Sequence, residues 1–228
     1  MKSIKHILGL LIGAGLLFAG CDSMDSIYQE FIGEGTTTYM AKLEGIETFA
    51  GENQVKFFIP AQTDPRVKGI QFYWDNKTME KDVAIDPLVD NEIIIDGVSD
   101  GSHIFELISH DDKGHVSVPL TLSANAYGDV FRSSTPNSSV ISACRNSEGL
   151  CLFKLHHSSS IYYQYMELIY KDVTGKEKVI KIERGTNQLY VDDISGDSYS
   201  FRSIYLPEET AFQTITSDLT TVNAIDTP

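Results

Sequence analysis

The chain has 228 residues, 42% of them hydrophobic and 22% charged, with 18 basic against 32 acidic side chains and a net charge of -14. That length suits one large or two ordinary domains. The negative charge works against binding a phosphate backbone, which is held through clustered Lys and Arg, and against attachment to anionic lipid by charge alone.

At the N-terminus Lys2 and Lys5 precede an apolar run from Ile7 to Ala19. As a helix this run is about 20 Å long, short of a hydrocarbon core of about 30 Å, so residues 1–20 read as a signal peptide rather than a membrane span. Ala19-Gly20 directly before Cys21 resembles a bacterial lipobox, in which the cysteine thiol receives a diacylglycerol and the peptide is cut before it. Phe18 departs from the aliphatic residue usual three positions before the cysteine, with Leu17 beside it. An ordinary signal peptide with an incidental cysteine is the alternative. The lipobox reading predicts a mature chain starting at Cys21, with charge -16 once Lys2 and Lys5 are lost. It also predicts an outer-membrane lipoprotein on the periplasmic or surface face, held to the membrane by its acyl chains only. Residues 21–38, "CDSMDSIYQEFIGEGTTT", read as a polar tether. Within it Asp22-Ser23-Met24 and Asp25-Ser26-Ile27 resemble the short O-glycosylation sequon of Bacteroidetes.

From residue 39 onward helical periodicity gives way to strand alternation. "VKFFI" sets Val55, Phe57 and Ile59 on one face; "IQFYW" does the same for Ile70, Phe72 and Trp74, and "HIFEL" for His103, Phe105 and Leu107. Turn signals separate these runs: "GEN", "TDPRVKG", "WDNK", "SDGS" and "DDKG". Alternation at short spacing predicts an antiparallel sandwich. The second half repeats the pattern: Cys151, Phe153 and Leu155 match Val55, Phe57 and Ile59, and Met166, Leu168 and Tyr170 match Ile70, Phe72 and Trp74. Tyr199, Phe201 and Ser203 match His103, Phe105 and Leu107, all three at an offset of 96 residues. A constant offset predicts a duplicated module: an all-β fold of two tandem fibronectin-III/immunoglobulin-like sandwiches, 39–126 and 127–228, meeting between Ala124 and Ser134. Phe57, Phe72, Trp74, Phe105, Leu168, Tyr199 and Phe201 are the expected core. Tyr199 stands where such folds keep a corner tyrosine, and His103 holds that place in the first module. Cys144 and Cys151 flank "RNSEGL". A hairpin centred near Ser147-Glu148-Gly149 would set them on facing strands, and outside the cytoplasm they are expected to bond, two buried free thiols being the alternative.

Several stretches together resemble the DUF4998 family of Bacteroidetes lipoproteins. They are "YQEFIGEGTTTY", "FAGENQVKFFI", "KGIQFYWDNK", "GSHIFELISHDDKGHVSVP", the linker "YGD" and "FRSIYLPEETAFQT". Gln213 departs from the aspartate expected after "LPE". The resemblance implies fibronectin-III-like modules and a setting among glycan-utilisation loci, with a polysaccharide or an outer-membrane glycan-uptake complex as partner. It brings no activity, no cofactor and no site residues with it.

Motifs that carry chemistry are scarce. There is no G-x-S-x-G elbow, Walker loop, H-E-x-x-H or EF-hand loop. His156 and His157 are strand neighbours and point to opposite faces. In "HDDKGH", His110, Asp112 and His115 span what reads as an ordinary turn, so no metal is expected. Asp192 and Asp193 are adjacent, and glycosidase carboxylates stand roughly 5–9.5 Å apart across a cleft that small sandwiches rarely build. No enzyme is expected. Aromatic platforms for sugar rings remain: Trp74 shares a face with core residues, leaving Tyr73, Tyr162 and Tyr163 as candidate glycan-binding residues. The expected function is a non-catalytic, lipid-anchored accessory protein that binds glycan, or alternatively a structural or adhesive module recognising protein.

Overall fold

The computed structural model describes residues 39–226. The signal peptide, the lipidation site Cys21 and the tether expected over 21–38 lie outside the described residues.

The alternation read in the sequence becomes strands. β1 (Glu47–Ala50), β2 (Gln54–Ile59) and β5 (Asn91–Asp96) form a three-stranded sheet in the order β1-β2-β5. β3 (Gly69–Trp74), β4 (Met79–Ala84), β6 (Gly101–His110) and β7 (Leu120–Ala126) form a second sheet in the order β4-β3-β6-β7. Between them Val55, Phe57, Ile59, Ile70 and Phe72 are fully buried, because alternate residues of both sheets turn inward. Phe57 meets Phe72 and Phe105 edge-on, each at 5.0 Å, and Trp74 stacks on Phe105 at 5.6 Å.

After β7 a short helix, α1 (Asp129–Ser134), stands where the sequence predicted only a linker. β8 (Ser139–Arg145), β9 (Cys151–His156) and β12 (Gln188–Val191) then form a sheet in the order β12-β9-β8. β10 (Tyr163–Asp172), β11 (Glu177–Glu183) and β13 (Ile194–Tyr205) form its partner in the order β11-β10-β13, with β14 (Ile215–Thr216) and β15 (Thr220–Val222) both paired to β13. The strand order of the first sandwich is thus repeated. The second core is a separate cluster around Phe153, Met166, Leu168 and Tyr205. The expected core residues Phe57, Phe72, Trp74, Phe105, Leu168, Tyr199 and Phe201 are all buried.

The repeat departs from the sequence alignment in one strand. Phe72 faces Leu107, but Leu168, its counterpart at offset 96, faces Phe201 rather than Ser203. The structural offset of β13 against β6 is therefore 94. Tyr199 matches Phe105, and its ring meets Phe153 edge-on at 5.0 Å as Phe105 meets Phe57. Ser203 matches Ser109, and both side chains are fully buried. Each makes the same clamp. Ser109 N–H donates to Ser117 Oγ (3.0 Å) while Ser117 N–H donates to Ser109 O (2.9 Å). Ser203 N–H donates to Ser217 Oγ (2.8 Å) while Ser217 N–H donates to Ser203 O (2.9 Å). A slip of two keeps every side chain on its face, which is why the inward pattern alone did not reveal it. The hydroxyl-to-backbone bond expected of a corner tyrosine belongs to Tyr205, which donates to Pro136 O at 2.9 Å.

Candidate functional site

Of the three tyrosines the sequence singles out, Tyr163 is not a surface platform. It opens β10, is 3% exposed and hydrogen-bonds His157 Nδ1 at 2.7 Å. Burial pushes its phenol above the ordinary range. Tyr162 is 38% exposed and leans on Phe131 of α1 at 5.5 Å. Tyr73 is half-buried on β3, with Lys77 Nζ 5.6 Å from its ring centre. Tyr73 and Tyr162 lie in different sandwiches and do not form one surface.

Cys144 and Cys151 are free, which corrects the expected disulfide. In the β8–β9 hairpin Cys144 faces Leu152 and Cys151 faces Arg145. Directly opposed residues share a face and neighbours alternate. Cys144 is therefore exposed and Cys151 buried, on opposite sides of one sheet. Burial raises the Cys151 thiol's pKa, which holds it protonated and unreactive.

The "HDDKGH" residues serve separate local contacts. His110 Nε2 lies 2.7 Å from Asp82 Oδ1 and His115 Nδ1 lies 2.7 Å from Asp111 Oδ2. The bond from His115, with the Lys113 and His115 backbone N–H groups, holds the Asp111 carboxyl down at about 2. Asp193 likewise makes a structural cluster: Lys178 and the Tyr170 hydroxyl both donate to it. Tyr170 is pushed up to about 12, first by burial and then by the Asp193 carboxylate that accepts its hydrogen bond. His103 is 8% exposed between Asp75 Oδ1 (2.6 Å from Nδ1) and Ser99 O (2.8 Å from Nε2). It ties the β3–β4 turn, where Asp75, Asn76 and Lys77 all have positive φ, to the loop before β6.

Two features carry more. The first is a joint where three stretches quoted above, "FAGEN", "YGD" and "LPEETAFQ", converge. The loop after β13 lays Phe212 on Gly51, where a Cβ would come within 2.7 Å of Phe212 Cζ and 2.9 Å of Gln213 Oε1. Phe212 N–H donates to Ala50 O (2.9 Å) and Glu52 N–H to Gln213 Oε1 (3.0 Å). The linker threads between: Tyr127 N–H donates to Gly51 O (3.1 Å) and Asn53 N–H to Tyr127 O (2.8 Å). Asp100 accepts from Gly128 N–H (2.7 Å) and Phe131 N–H (2.9 Å), which fixes the start of α1. Arg132 then binds the Glu52 and Asp129 carboxylates and donates from Nε to Thr216 O at 3.1 Å. Gln213, the departure noted in the sequence, supplies a neutral acceptor beside Glu52; an aspartate would place a second carboxylate there.

The second is a shelf on the outer face of β12-β9-β8, which the sequence did not suggest. Register aligns Tyr190, Leu152 and Cys144 in one row across the three strands. Tyr190 is 58% exposed. With Leu150, Arg145 and Asn146 this row lines a depression of about 230 Å³. Arg145, opposite the buried Cys151, sends its guanidinium to β13 of the facing sheet, where Ile194 O (3.3 Å), Gly196 O and Asp197 Oδ1 (3.4 Å) accept from it. Asn146 Oδ1 accepts from Glu148 and Leu150 N–H (3.0 and 2.9 Å), which closes the β8–β9 turn. The one signal for this site in the sequence is Leu189-Tyr190-Val191, whose alternation sends the tyrosine outward.

A family model described as a domain of unknown function, DUF4998, matches residues 21–215. Among solved structures, the FN1-FN3 domains of chicken CNTN1 are similar at 11% identity and a TM-score of 0.45, over 85% of this chain and 70% of that one. The fibronectin(III)-like modules of Clostridium thermocellum CbhA are similar at 10% identity and a TM-score of 0.39, over 80% of this chain and 95% of that one. No curated protein matches the sequence.

Proposed function

We propose that this chain, which belongs to the DUF4998 family, is a non-catalytic, lipid-anchored accessory protein of the cell envelope that binds polysaccharide for a glycan-uptake system. The joint is the observation that carries this reading. Backbone hydrogen bonds, the Gly51–Phe212 contact and the Arg132 cluster fasten the β13–β14 loop of one sandwich to the β1–β2 turn of the other. Such a unit presents whatever surface it carries at a set distance and angle, as a tethered receptor requires. Clustered acids such as Asp193 are tied up in fold-holding contacts, which speaks for display rather than chemistry. Single-site affinity for a glycan is expected to be weak and strengthened by many copies on one surface.

A second reading, recognition of protein, is favoured by a different observation. Val130 (66% exposed), Ile161 (82%) and Tyr162 (38%) are apolar surface contributed by α1 and the loop before β10, of the kind that marks contact surfaces. Cross-linking on intact cells followed by capture of the chain separates the two. Polysaccharide retained in the absence of a protein partner supports the first reading. A stoichiometric protein partner that persists after glycan is removed supports the second.

A further inference from the structure

We infer that the buried His103 is a proton-controlled latch on the joint: with both ring nitrogens protonated it holds the loop that grips the linker, and on losing one proton it releases that loop. Asp75 Oδ1 lies 2.6 Å from Nδ1 and Ser99 O lies 2.8 Å from Nε2. An ionised carboxylate and a carbonyl only accept hydrogen bonds. Both contacts are made together only while each ring nitrogen carries a hydrogen, and an imidazole that carries two is charged. Histidine is the side chain that exchanges a proton near neutral pH, so one of the two bonds is conditional.

The geometry also says which bond goes. Nδ1 faces a carboxylate, and a proton there is held more strongly than one aimed at a neutral carbonyl. The proton lost is therefore the one on Nε2, whose lone pair then meets Ser99 O, acceptor against acceptor. Ser99 Oγ, 3.4 Å from the same nitrogen, is the donor that replaces it once the backbone turns. Val98, just before, is buried and donates to Asn53 O at 3.0 Å, while Gly101, just after, has φ +133 and open space around it. Ser99 and Asp100 thus lie between a fixed point and a permissive one. Charges on the surrounding elements are engaged elsewhere: Lys77 of the turn with Glu106 of β6 at 2.8 Å, Asp96 at the end of β5 with Gln54 at 2.7 Å, and Arg132 of α1 with Glu52 and Asp129. On β7 the residue opposite His103 is Ala124. Among the described residues, Asp75 is the charged group that bonds the ring.

What hangs on this loop is the linker. Asp100, next to Ser99, accepts from Gly128 N–H (2.7 Å) and Phe131 N–H (2.9 Å) at the start of α1. From α1, Arg132 reaches Glu52 in one sandwich and Thr216 O in the other. A turn of the backbone at Ser99 carries Asp100 with it and weakens its two bonds. The contacts of Phe212 and Gln213 with Ala50, Gly51 and Glu52 do not pass through this loop and remain. The proton therefore sets how firmly the linker is held, not whether the sandwiches touch.

The test is nuclear magnetic resonance on the full chain in detergent micelles between about pH 5 and 9. Ring nitrogen shifts, assigned by their loss in His103→Gln, report how many protons the ring carries and on which atom. Amide exchange at Gly128 and Phe131, corrected for its intrinsic pH dependence, reports the grip on the linker. The neutral ring is expected to keep its proton on Nδ1, and protection at both amides should fall about five- to tenfold with the same midpoint as the ring. Asp75→Asn should remove this pH dependence. Its amide donates to Nδ1, so the neutral ring keeps Nε2–H on Ser99 O and protection stays level. A neutral ring protonated on Nε2 in the unaltered protein overturns the latch, as does protection that stays level through the ring's titration, or a ring that does not titrate in this range. An Asp75→Asn chain that loses protection as the unaltered one does overturns it too. Should that variant fail to fold, the ring shifts and amide exchange of the unaltered protein decide by themselves.

Discussion

In the first sandwich the outer row Phe49–Lys56–Ile94 is covered at one end, where Lys56 lies against the rings of Phe49 and Phe212 and pairs with Glu92 at 3.4 Å, while Ile94 at the other end is 42% exposed. In the second, no ring covers the matching row Cys144–Leu152–Tyr190 among the described residues, and Tyr190 is 58% exposed beside an apolar hollow. The inward positions of the same strands are nearly interchangeable, Phe57 with Phe153 and Phe105 with Tyr199. The two sandwiches share their inward positions and strand order and differ on their outer face. One copy of the face carries Phe212 from its neighbour; the other carries the exposed Tyr190.

The sharpest way to break this comparison is in the cores. Phe57→Ala and Phe153→Ala each remove a fully buried ring and are expected to cost about 3–5 kcal/mol apiece. Urea unfolding measures both, and a cost confined to one of them would deny that the cores are equivalent. Gly51→Ala comes next. Its Cβ meets Phe212 and Gln213, so an overpacking cost of about 1–3 kcal/mol should fall on the joint and loosen the β13–β14 loop. Gly149, in the matching turn, has φ +87 and open space around it. Gly149→Ala is expected to cost about 1–2 kcal/mol through backbone strain alone, with the joint undisturbed. Amide exchange at Phe212 and Gln213 distinguishes the two, rising in the first variant only.

Much of this was readable in advance and some was not, for identifiable reasons. Val55, Phe57 and Ile59 alternate with polar or half-buried neighbours, and that period fixed both strand and face. The third repeated strand was placed two residues out, because period-2 parity cannot see an even slip. Tyr162 and Tyr163 are adjacent in sequence but differ in setting, because β10 begins at Tyr163 and turns its ring inward. The two cysteines follow from the register: a hairpin centred on Glu148 opposes 145 to 151 and 144 to 152, which puts the two thiols on opposite faces and out of bonding reach of one another. The joint could not be read at all. It brings Gly51, Tyr127 and Phe212 together from three distant stretches, and nothing local in any of them signals the others.

Titration should separate the sandwiches less strongly. Asp111 in the first sandwich is held at about 2, and Asp172 and Asp193 in the second are also held below the ordinary 3.8. A depressed carboxyl contributes stability that is complete above its unfolded value and is lost as pH falls through the folded one. Both sandwiches should therefore weaken as pH falls below about 4, the first down through the Asp111 value of about 2 and beyond it as Asp64, held lower still by Arg66, titrates. On the alkaline side Tyr170 is raised from 10.0 to about 12. That contribution is complete below pH 10 and lost on the way to 12, and Tyr170→Phe should flatten the second sandwich's alkaline limb while sparing the first. The smallest effect concerns the thiols. Reductant should change neither stability nor intact mass, and in the native protein iodoacetamide should modify Cys144 quickly and Cys151 only on unfolding.

The central claim, that one sandwich's outer corner fastens the other so that the pair moves as one body, is tested most directly by residual dipolar couplings on the full chain in micelles. Backbone couplings from the strands of each sandwich are fitted separately to an alignment tensor. The joint predicts one tensor, equal in magnitude and orientation for both, that splits into two in Gly51→Ala. Two tensors of different magnitude in the unaltered protein would contradict it.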